Sequence, residues 1–140
     1  MHPSFPGRTF EQVVAEVRAK PDFYNVGSSG PGSISHLLIE AMNTDLRIKL
    51  RHIPYRGMGP ALTAALAGET LVSIDQYPSS AAHIKSGKLL PFAVGAAKRL
   101  EALPSVPTLK ELGQPELNEL AVTWFALMAP AKTPPAIRKK

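Results

Sequence analysis

The chain has 140 residues, the size of one domain, and its 44% hydrophobic and 19% charged residues are typical of a protein with a packed core. Its net charge of +5 is not gathered into the basic stripe with interleaved aromatic residues that nucleic-acid binding requires, so no nucleic-acid partner is expected. The lack of cysteine excludes disulfides and cysteine metal sites, and no apolar run reaches the roughly eighteen residues of a membrane span.

The first third of the chain predicts helix, strand and helix in that order. Thr9, with Gln12 three residues later, has the pattern of a capping box, and it predicts a helix that ends before Pro21. Residues 23–26 predict a strand and residues 34–43 a second helix. The inner face of that second helix is expected to carry Leu37, Leu38 and Ala41.

The same alternation continues to the end of the chain. Residues 49–55 predict a strand, Pro60 opens a helix that Gly68 closes, and residues 71–74 predict a strand that ends at Asp75. Further elements are a helix capped by Ser79, a strand at 89–94, a helix at 108–113 and a strand at 120–128. Alternating strands and helices predict an α/β fold, a three-layer sandwich around a mostly parallel sheet.

Residues 27–33, called the glycine-serine loop below, are the strongest local feature. The loop contains, in order, Gly27, Ser28, Ser29, Gly30, Pro31, Gly32 and Ser33. Glycines allow close approach of a ligand, and the serines together with the following helix N-terminus offer donors to a carboxylate or a phosphate. Ser33 stands where a Walker loop has lysine, and Ser35 where a dinucleotide fingerprint has its third glycine. A plain strand-to-helix turn is the alternative interpretation.

Two further positions are predicted at the same edge of the sheet. Tyr55 begins a second strand–glycine–helix turn that includes Gly57, and Tyr55 either donates its hydroxyl to a ligand or covers the core. Asp75 follows a buried strand and either accepts from a ligand or caps the next helix. In open α/β sheets such turns face one crevice, which is where ligands bind.

Catalysis, metals and cofactors have little support in the sequence. The four histidines match no zinc spacing, and there is no Gly-x-Ser-x-Gly elbow. His36 is the histidine expected near the loop, as a ligand contact or as a helix-face residue that bonds the loop. No cofactor and no enzymatic activity are therefore predicted. A small enzyme that uses Asp75 or His36 as a base on an anionic substrate, and a ligand-free interaction module, remain as alternatives.

Several segments together resemble one known family. Residues 24–37 (YNVGSSGPGSISHL), 52–62 (HIPYRGMGPAL) and 83–89 (HIKSGKL), with Asp75, Pro78 and Ser79, are similar to motifs of the tripartite tricarboxylate transporter substrate-binding family, the Bug-type receptors. Residues 103–108 and 124–130 continue the likeness in family order. The resemblance implies one lobe of a type II periplasmic-binding-protein fold, with residues 1–130 as the ligand-binding second lobe and 131–140 as the truncated start of the return to the missing first lobe.

The resemblance also implies a function, partners and a site. The lobe would capture a small carboxylate (a dicarboxylate, amino acid or aromatic acid) for membrane permease subunits, with the missing first lobe closing over it and a homodimer through the exposed cleft face as a further possibility. Localisation would be periplasmic, although residues 1–6 lack the features of a signal peptide. Pro31 departs from the family loop by removing one backbone donor. The ligand-binding residues carried over are Gly27, Ser28, Ser29, Gly30, Gly32, Ser33, His36, Tyr55, Gly57 and Asp75.

Overall fold

A computed structural model describes residues 1–122 and 130–138 of the chain. The elements follow one another in the alternating order that the sequence predicts as far as residue 85. They are α1 (Phe10–Ala19), β1 (Asn25–Ser28), α2 (Ile34–Asp45), β2 (Arg51–Pro54), α3 (Met58–Ala67), β3 (Val72–Ser73), α4 (Tyr77–Lys85), α5 (Pro115–Leu120) and α6 (Pro135–Arg138).

The three strands form a parallel sheet in the order β2-β1-β3, with β1 in the centre. The chain crosses from β1 to β2 through α2, and then returns past β1 to β3 through α3. Because crossovers between parallel strands are right-handed, these opposite directions place α2 and α3 on opposite faces of the sheet. The α/β architecture around a parallel sheet, predicted from the sequence, is confirmed.

The core forms where α1, α2 and the sheet meet. Val17 on α1, Ile39 on α2 and Val26 on β1 are fully buried together with Phe5 and Leu117. The capping box of α1 is present, since Thr9 Oγ1 accepts from the Gln12 amide and the Gln12 side chain accepts from the Thr9 amide.

Two predictions in the first third of the chain were wrong in detail. The strand lies at Asn25–Ser28 rather than 23–26, because Phe23 belongs to a turn in which its amide bonds to the Lys20 carbonyl, and its side chain is 66% exposed. Gly27 and Ser28 therefore end a strand rather than begin a loop. Leu37 is exposed; the buried face of α2 carries Ser35, Leu38, Ile39 and Met42.

Helix starts also differ from the expected positions. α3 begins at Met58, two residues before Pro60, and Gly57 is its N-cap. α4 begins at Tyr77 with Gln76 as N-cap, so that Ser79 lies within the first turn instead of capping the helix. Proline tolerates any of the first helical positions because the amides there have no partner within the helix.

The region after α4 departs most from expectation. Residues 89–94 form no ladder with the sheet; Leu90 exchanges backbone hydrogen bonds with Met1, and Val94 makes an isolated bridge to Thr108. Residues 108–113 form turns rather than a helix, although Thr108 and Glu111 exchange the hydrogen bonds of a capping box. Leu120 ends helix α5, and the rest of the strand predicted at 120–128 falls mainly outside the described residues.

The chain beyond the gap forms the short helix α6, close to the helix start expected around 133–137. Across the described ranges, 1–122 and 130–138, no helix combines the length and apolar character needed to cross a membrane.

Candidate ligand-binding site

The carboxyl ends of all three strands lie at one edge of the sheet, since the strands are parallel. Two backbone hydrogen bonds join the turns after β1 and β2: the Tyr55 amide donates to the Ser28 carbonyl at 3.0 Å, and the Gly57 amide donates to the Ser29 carbonyl at 3.2 Å. The chain reverses its direction across the sheet between β1 and β3, which is the position where open α/β sheets bind ligands. The two glycine turns expected at one crevice are therefore adjacent.

Three helices begin at this edge, and the Asp75 carboxylate lies beside the N-cap of one of them, α4. α2, α3 and α4 carry no acidic residue in the first turn, whereas α1 and α5, which begin elsewhere, carry Glu11 and Glu116 there. Acidic side chains normally favour the first turn because they offset the dipole. Their absence leaves the starts of α2 and α3 attractive to an anion from outside.

The loop amides and the helix amides differ in their hydrogen bonding. The amides of Ser29, Gly30 and Gly32 donate to side chains of the loop and α2: Ser35 Oγ at 3.1 Å, Ser28 Oγ at 3.1 Å and His36 Nδ1 at 3.0 Å. In the part of the chain that the structure describes, the first amides of α2 and α3 have no such partner. These are the amides of Ile34, Ser35, Met58 and Gly59.

A network of serine hydroxyls supports the N-terminus of α2. Ser33 caps the helix by accepting from the His36 amide at 3.3 Å, and its hydroxyl donates to the Gly30 carbonyl at 2.7 Å. The Ser35 hydroxyl lies 3.0 Å from Ser33 Oγ and 3.3 Å from Ser29 Oγ. Ser35 was not among the predicted site residues. Its contacts with the loop depend on how the loop folds back over α2, which the sequence does not show.

Ser28 faces away from the open edge and is fully buried. Its Oγ lies 2.5 Å from His52 Nε2, and the His52 ring stacks on the His36 ring with centroids 4.0 Å apart and planes 17° apart. His52 was missed by the sequence reasoning. In the parallel register Ser28 pairs with Pro54, so His52, two residues earlier, shares the face of the sheet on which Ser28 lies.

The predicted tyrosine is in contact with the predicted first glycine. A Cβ on Gly27 would lie 3.2 Å from Cε2 of Tyr55 and 3.4 Å from Cβ of Ala61, so the ring covers Gly27 on the α3 side. Gly30 and Gly57 have φ of 129° and 104°, values that few residues other than glycine adopt. The structure therefore shows a packing role for Tyr55, and donation of its hydroxyl to a ligand stays a prediction.

Asp75 lies at the end of β3 with one satisfied and one unsatisfied oxygen. Oδ1 accepts from the Gln76 amide at 2.8 Å, whereas Oδ2 is buried without a partner among the described residues. Burial raises the pKa of the Asp75 carboxyl above its ordinary value of 3.8, against the lowering effects of the Gln76 amide and His83. An oxygen of this kind can accept from a ligand donor.

A cavity of about 870 Å³ opens between this edge and the segment 89–97. Its polar lining includes Ser29, Ser35 and Asp75, and its walls are largely apolar, with Leu38 and Phe92 among them. Ile34 and Met58, whose amides have no partner in the part of the chain that the structure describes, also line it. Of the predicted site residues, Ser29 and Asp75 line the cavity. The other predicted residues belong to the turns and the helix start around it.

One cluster has the composition of a metal site but not its geometry. His36, Glu40 and His52 each place a ligand atom within 4.8 Å of the other two. The two rings are stacked, so their in-plane lone pairs do not converge on one point. His36 Nδ1 also accepts from the Gly32 amide, which leaves the proton of the neutral ring on Nε2, the nitrogen nearer Glu40. This arrangement does not fit a metal ion.

Comparisons with known proteins agree with the geometry. The family model described as "Tripartite tricarboxylate transporter family receptor" matches residues 1–140. The chain is 36% identical over 129 residues to protein BugT of Bordetella pertussis, covering 92% of this chain and 39% of that protein. It is 35% identical over 133 residues to an Agrobacterium vitis protein encoded in the TAR-I ttuE-ttuC′ intergenic region, covering 95% of this chain and 38% of that protein.

Solved structures show the same relationship. The R. palustris protein Rpa4515 with adipate superimposes with a TM-score of 0.88 at 31% identity, over 99% of this chain and 46% of that chain. MatC of Rhodopseudomonas palustris with bound malate gives a TM-score of 0.73 at 28% identity, over 81% of this chain and 39% of that chain. The chain thus spans roughly two fifths of the length of these relatives. The matched family consists of periplasmic solute receptors and not of enzymes.

Proposed function

Because this chain belongs to the tripartite tricarboxylate transporter receptor family, we propose that it is the ligand-binding lobe of a periplasmic receptor that captures a small carboxylate. Residues 1–130 would form the lobe, and residues 131–140 would lead toward a first lobe that closes over the ligand. Membrane permease subunits of the transporter would then receive the ligand. The role is capture without chemistry, so no catalytic residue and no cofactor is assigned.

The observation that carries this proposal is that several amides at the starts of α2 and α3 have no hydrogen-bond partner among the described residues. Ile34, Ser35 and Met58 each offer an N–H group at the edge of the cavity, and neither helix has an acidic residue in its first turn. Backbone amides at a helix N-terminus bind anions because the group dipole and the unpaired donors act together. One ligand carboxylate would bind there, assisted by the Ser29 hydroxyl.

The remaining predicted residues would shape the two turns, except Asp75, which would contact another part of the ligand. Gly27, Gly30, Gly32 and Gly57 would allow the two turns to approach, and Ser28, Ser33 and His36 would hold the loop. Tyr55 would close its flank. Asp75 Oδ2, buried and unpartnered among the described residues, would accept from a ligand hydroxyl or ammonium group, such as the hydroxyl of malate, and would have no such partner on adipate.

The cavity favours a ligand with an apolar body between polar ends. Its polar rim and apolar walls match a dicarboxylate chain, and two relatives are described with adipate and with malate. Adipate and malate are therefore the first probes to use. A single lobe supplies half of the contacts, so the affinity of this chain alone is expected to be about millimolar.

A charge placed at the α2 N-cap tests the proposal without removing the cap. Aspartate caps helices as well as serine does, so Ser33→Asp should keep the helix although it loses the bond to the Gly30 carbonyl, and its carboxylate should repel a ligand carboxylate. Thr9→Asp makes the same change at the start of α1, away from the site, and is the matched control.

The measurement is the melting temperature of the 140-residue chain with and without 20 mM adipate or malate, since a ligand raises it by mass action. The unmodified chain and Thr9→Asp should show a rise, and Ser33→Asp should show none. Equal rises in all three proteins would place the anion elsewhere and contradict the proposal.

Self-association through the exposed cleft face is a second proposal, favoured by two apolar side chains beside the site. Ile34 is 45% exposed and Leu37 is 47% exposed, on consecutive turns of α2. In the whole receptor the first lobe would cover such residues, and in this chain a second copy would do so. Sedimentation of Leu37→Glu against the unmodified chain tests it; a monomer in both cases would exclude the homodimer. The enzyme alternative gains no support from the family.

A further inference from the structure

Two stacked imidazole rings connect the two ends of the glycine-serine loop. His52 Nε2 lies 2.5 Å from the hydroxyl of Ser28, the last residue of β1, after which the chain leaves the sheet. His36 Nδ1 accepts the amide hydrogen of Gly32, near the end of the loop, at 3.0 Å. The ring centroids are 4.0 Å apart, with 17° between the planes. The rings therefore link the loop ends through β2 and α2, independently of the backbone between them.

The hydrogen bond from Gly32 can form only while His36 Nδ1 is unprotonated. A protonated imidazole carries hydrogens on both nitrogens and has no acceptor. Protonation of His36 would therefore bring two N–H groups into opposition and release Gly32. Protonation of both rings would also stack one cation on another.

Few negative charges lie near the rings to stabilise their protonated forms. Burial is the main cause that lowers the pKa of His52, the neighbouring His36 lowers it further, and Glu40 acts in the opposite direction. Glu40 Oε1 lies 3.8 Å from His36 Nε2 at an exposed position on α2, where solvent screens its charge. In the described ranges no other acidic group lies within ion-pair distance of either ring, and the loop itself contributes only Gly, Ser and Pro.

We propose that His52 and His36 together are positioning residues that hold the glycine-serine loop in its ligand-binding shape, and that acid releases this shape by protonating the stacked pair. The inference rests on the proposed function, because the loop shape matters to affinity only if the loop borders the ligand. It adds His52 to the residues of the site. A receptor built in this way would bind carboxylates more weakly in acid, where the rings are protonated.

A first experiment tests the loop without any ligand. Nitrogen-15 NMR of the 140-residue chain would report the His36 tautomer and the hydrogen exchange of the Gly32 amide between pH 7.5 and pH 5. We expect an unprotonated Nδ1 and a protected Gly32 amide at pH 7.5, both lost by pH 5. Gly32 protection that is unchanged over this range would overturn the inference, whatever the chain binds.

Four variants separate positioning from simple packing. His36→Asn keeps an acceptor near the Nδ1 position but cannot titrate, so Gly32 protection should persist down to pH 5. His36→Leu should lose that protection at every pH, and His52→Leu should alter the Gly32 and Ser28 signals together. His2→Gln, a histidine change beside Gly68 and away from the loop, should leave all of these signals as they are. We call the stacked pair of His52 and His36, with its bonds to Ser28 and Gly32, the clamp. If His36→Leu kept the Gly32 protection, the clamp would be disproved.

Binding then connects the clamp to function. Where the unmodified chain binds adipate, titrations at pH 7.5 should show about a fivefold loss of affinity in His36→Leu, the effect of one lost hydrogen bond, and recovery in His36→Asn. Affinity should fall toward pH 5 in the unmodified chain and stay level in His36→Asn. Equal pH profiles in both proteins would refute the acid release. An absence of adipate binding in every protein, with the NMR results as expected, would count against the proposed function and leave the clamp standing.

Discussion

The ring of Tyr55 lies so close over Gly27 that a single methyl group on Gly27 would come within 3.2 Å of Cε2 of the ring. Gly27 is the penultimate residue of the central strand, and Tyr55 follows the neighbouring strand. The contact therefore fixes how closely the turns after β1 and β2 approach. It also explains why the central strand has glycine at this position, a residue that is otherwise unfavourable in strands.

Gly27→Ala should consequently destabilise the fold by about 1 kcal/mol, because the added methyl group overpacks the space beneath Tyr55. Tyr55→Leu supplies the control background: without the ring, adding the methyl group at Gly27 should cost less than it does in the unmodified chain. Urea unfolding of Gly27→Ala in both backgrounds measures the two costs. If Gly27→Ala were as stable as the unmodified chain, the Tyr55 contact would not constrain the turn.

Gly95→Ala should be more damaging. A Cβ at this position would lie 2.2 Å from Cβ of Ala121, and neither side chain can rotate away. We expect a loss of about 2 kcal/mol, typical of overpacking. The double variant Gly95→Ala with Ala121→Gly should recover most of the loss, whereas purely additive losses in a double-mutant cycle would contradict the contact.

Asn43 should contribute strongly to stability, because its side chain ties helix α2 to the backbone just before β2. Its Oδ1 accepts from the Leu50 amide at 2.8 Å and its Nδ2 donates to the Leu50 carbonyl at 3.2 Å. Asn43→Ala leaves both backbone groups without that partner and should lower the free energy of unfolding by about 2 kcal/mol. Asn43→Asp keeps the acceptor and should lose less. Equal losses in both variants, measured by urea unfolding, would argue against a specific role of the Oδ1 bond.

Asp75 should reduce stability at neutral pH. Burial raises the pKa of this carboxyl in the folded state above 3.8, so the folded protein holds the proton more tightly than the unfolded chain. The contribution of Asp75 to the free energy of unfolding is therefore most favourable below pH 3.8, and it falls as the pH rises through the folded-state pKa. Asp75→Asn, which keeps an oxygen for the Gln76 amide, should therefore stabilise the chain at pH 7.

Chemical denaturation at pH 7 and at pH 4 measures this effect. The gain from Asp75→Asn should be about 1 kcal/mol at pH 7, because the variant removes a buried charge and leaves a neutral amide in its place, and it should be smaller at pH 4. Asp45→Asn, at an exposed position on α2, should change stability little at either pH. A gain that did not depend on pH would mean that burial of the Asp75 charge is not its cause.

The features that depend on neighbouring residues were predictable from the sequence. The capping box of Thr9 and Gln12, the left-handed Gly68 that closes α3 and the helix that follows the glycine-serine loop all formed as expected. Each arises from hydrogen bonds or backbone preferences that extend over a few residues. The α/β class followed from the alternation of such elements, and the family motifs led to the correct family.

The tertiary structure alone decided the strand order, the register and the partners of the side chains. The register of β1 against β2 places His52 beside Ser28, residues 24 positions apart whose spacing carries no local signal. Residues 89–94 have a strand-like apolar pattern, yet Leu90 pairs with Met1 instead of the sheet. Such outcomes depend on which distant segments meet, and local sequence determines each segment's preference without determining its partner.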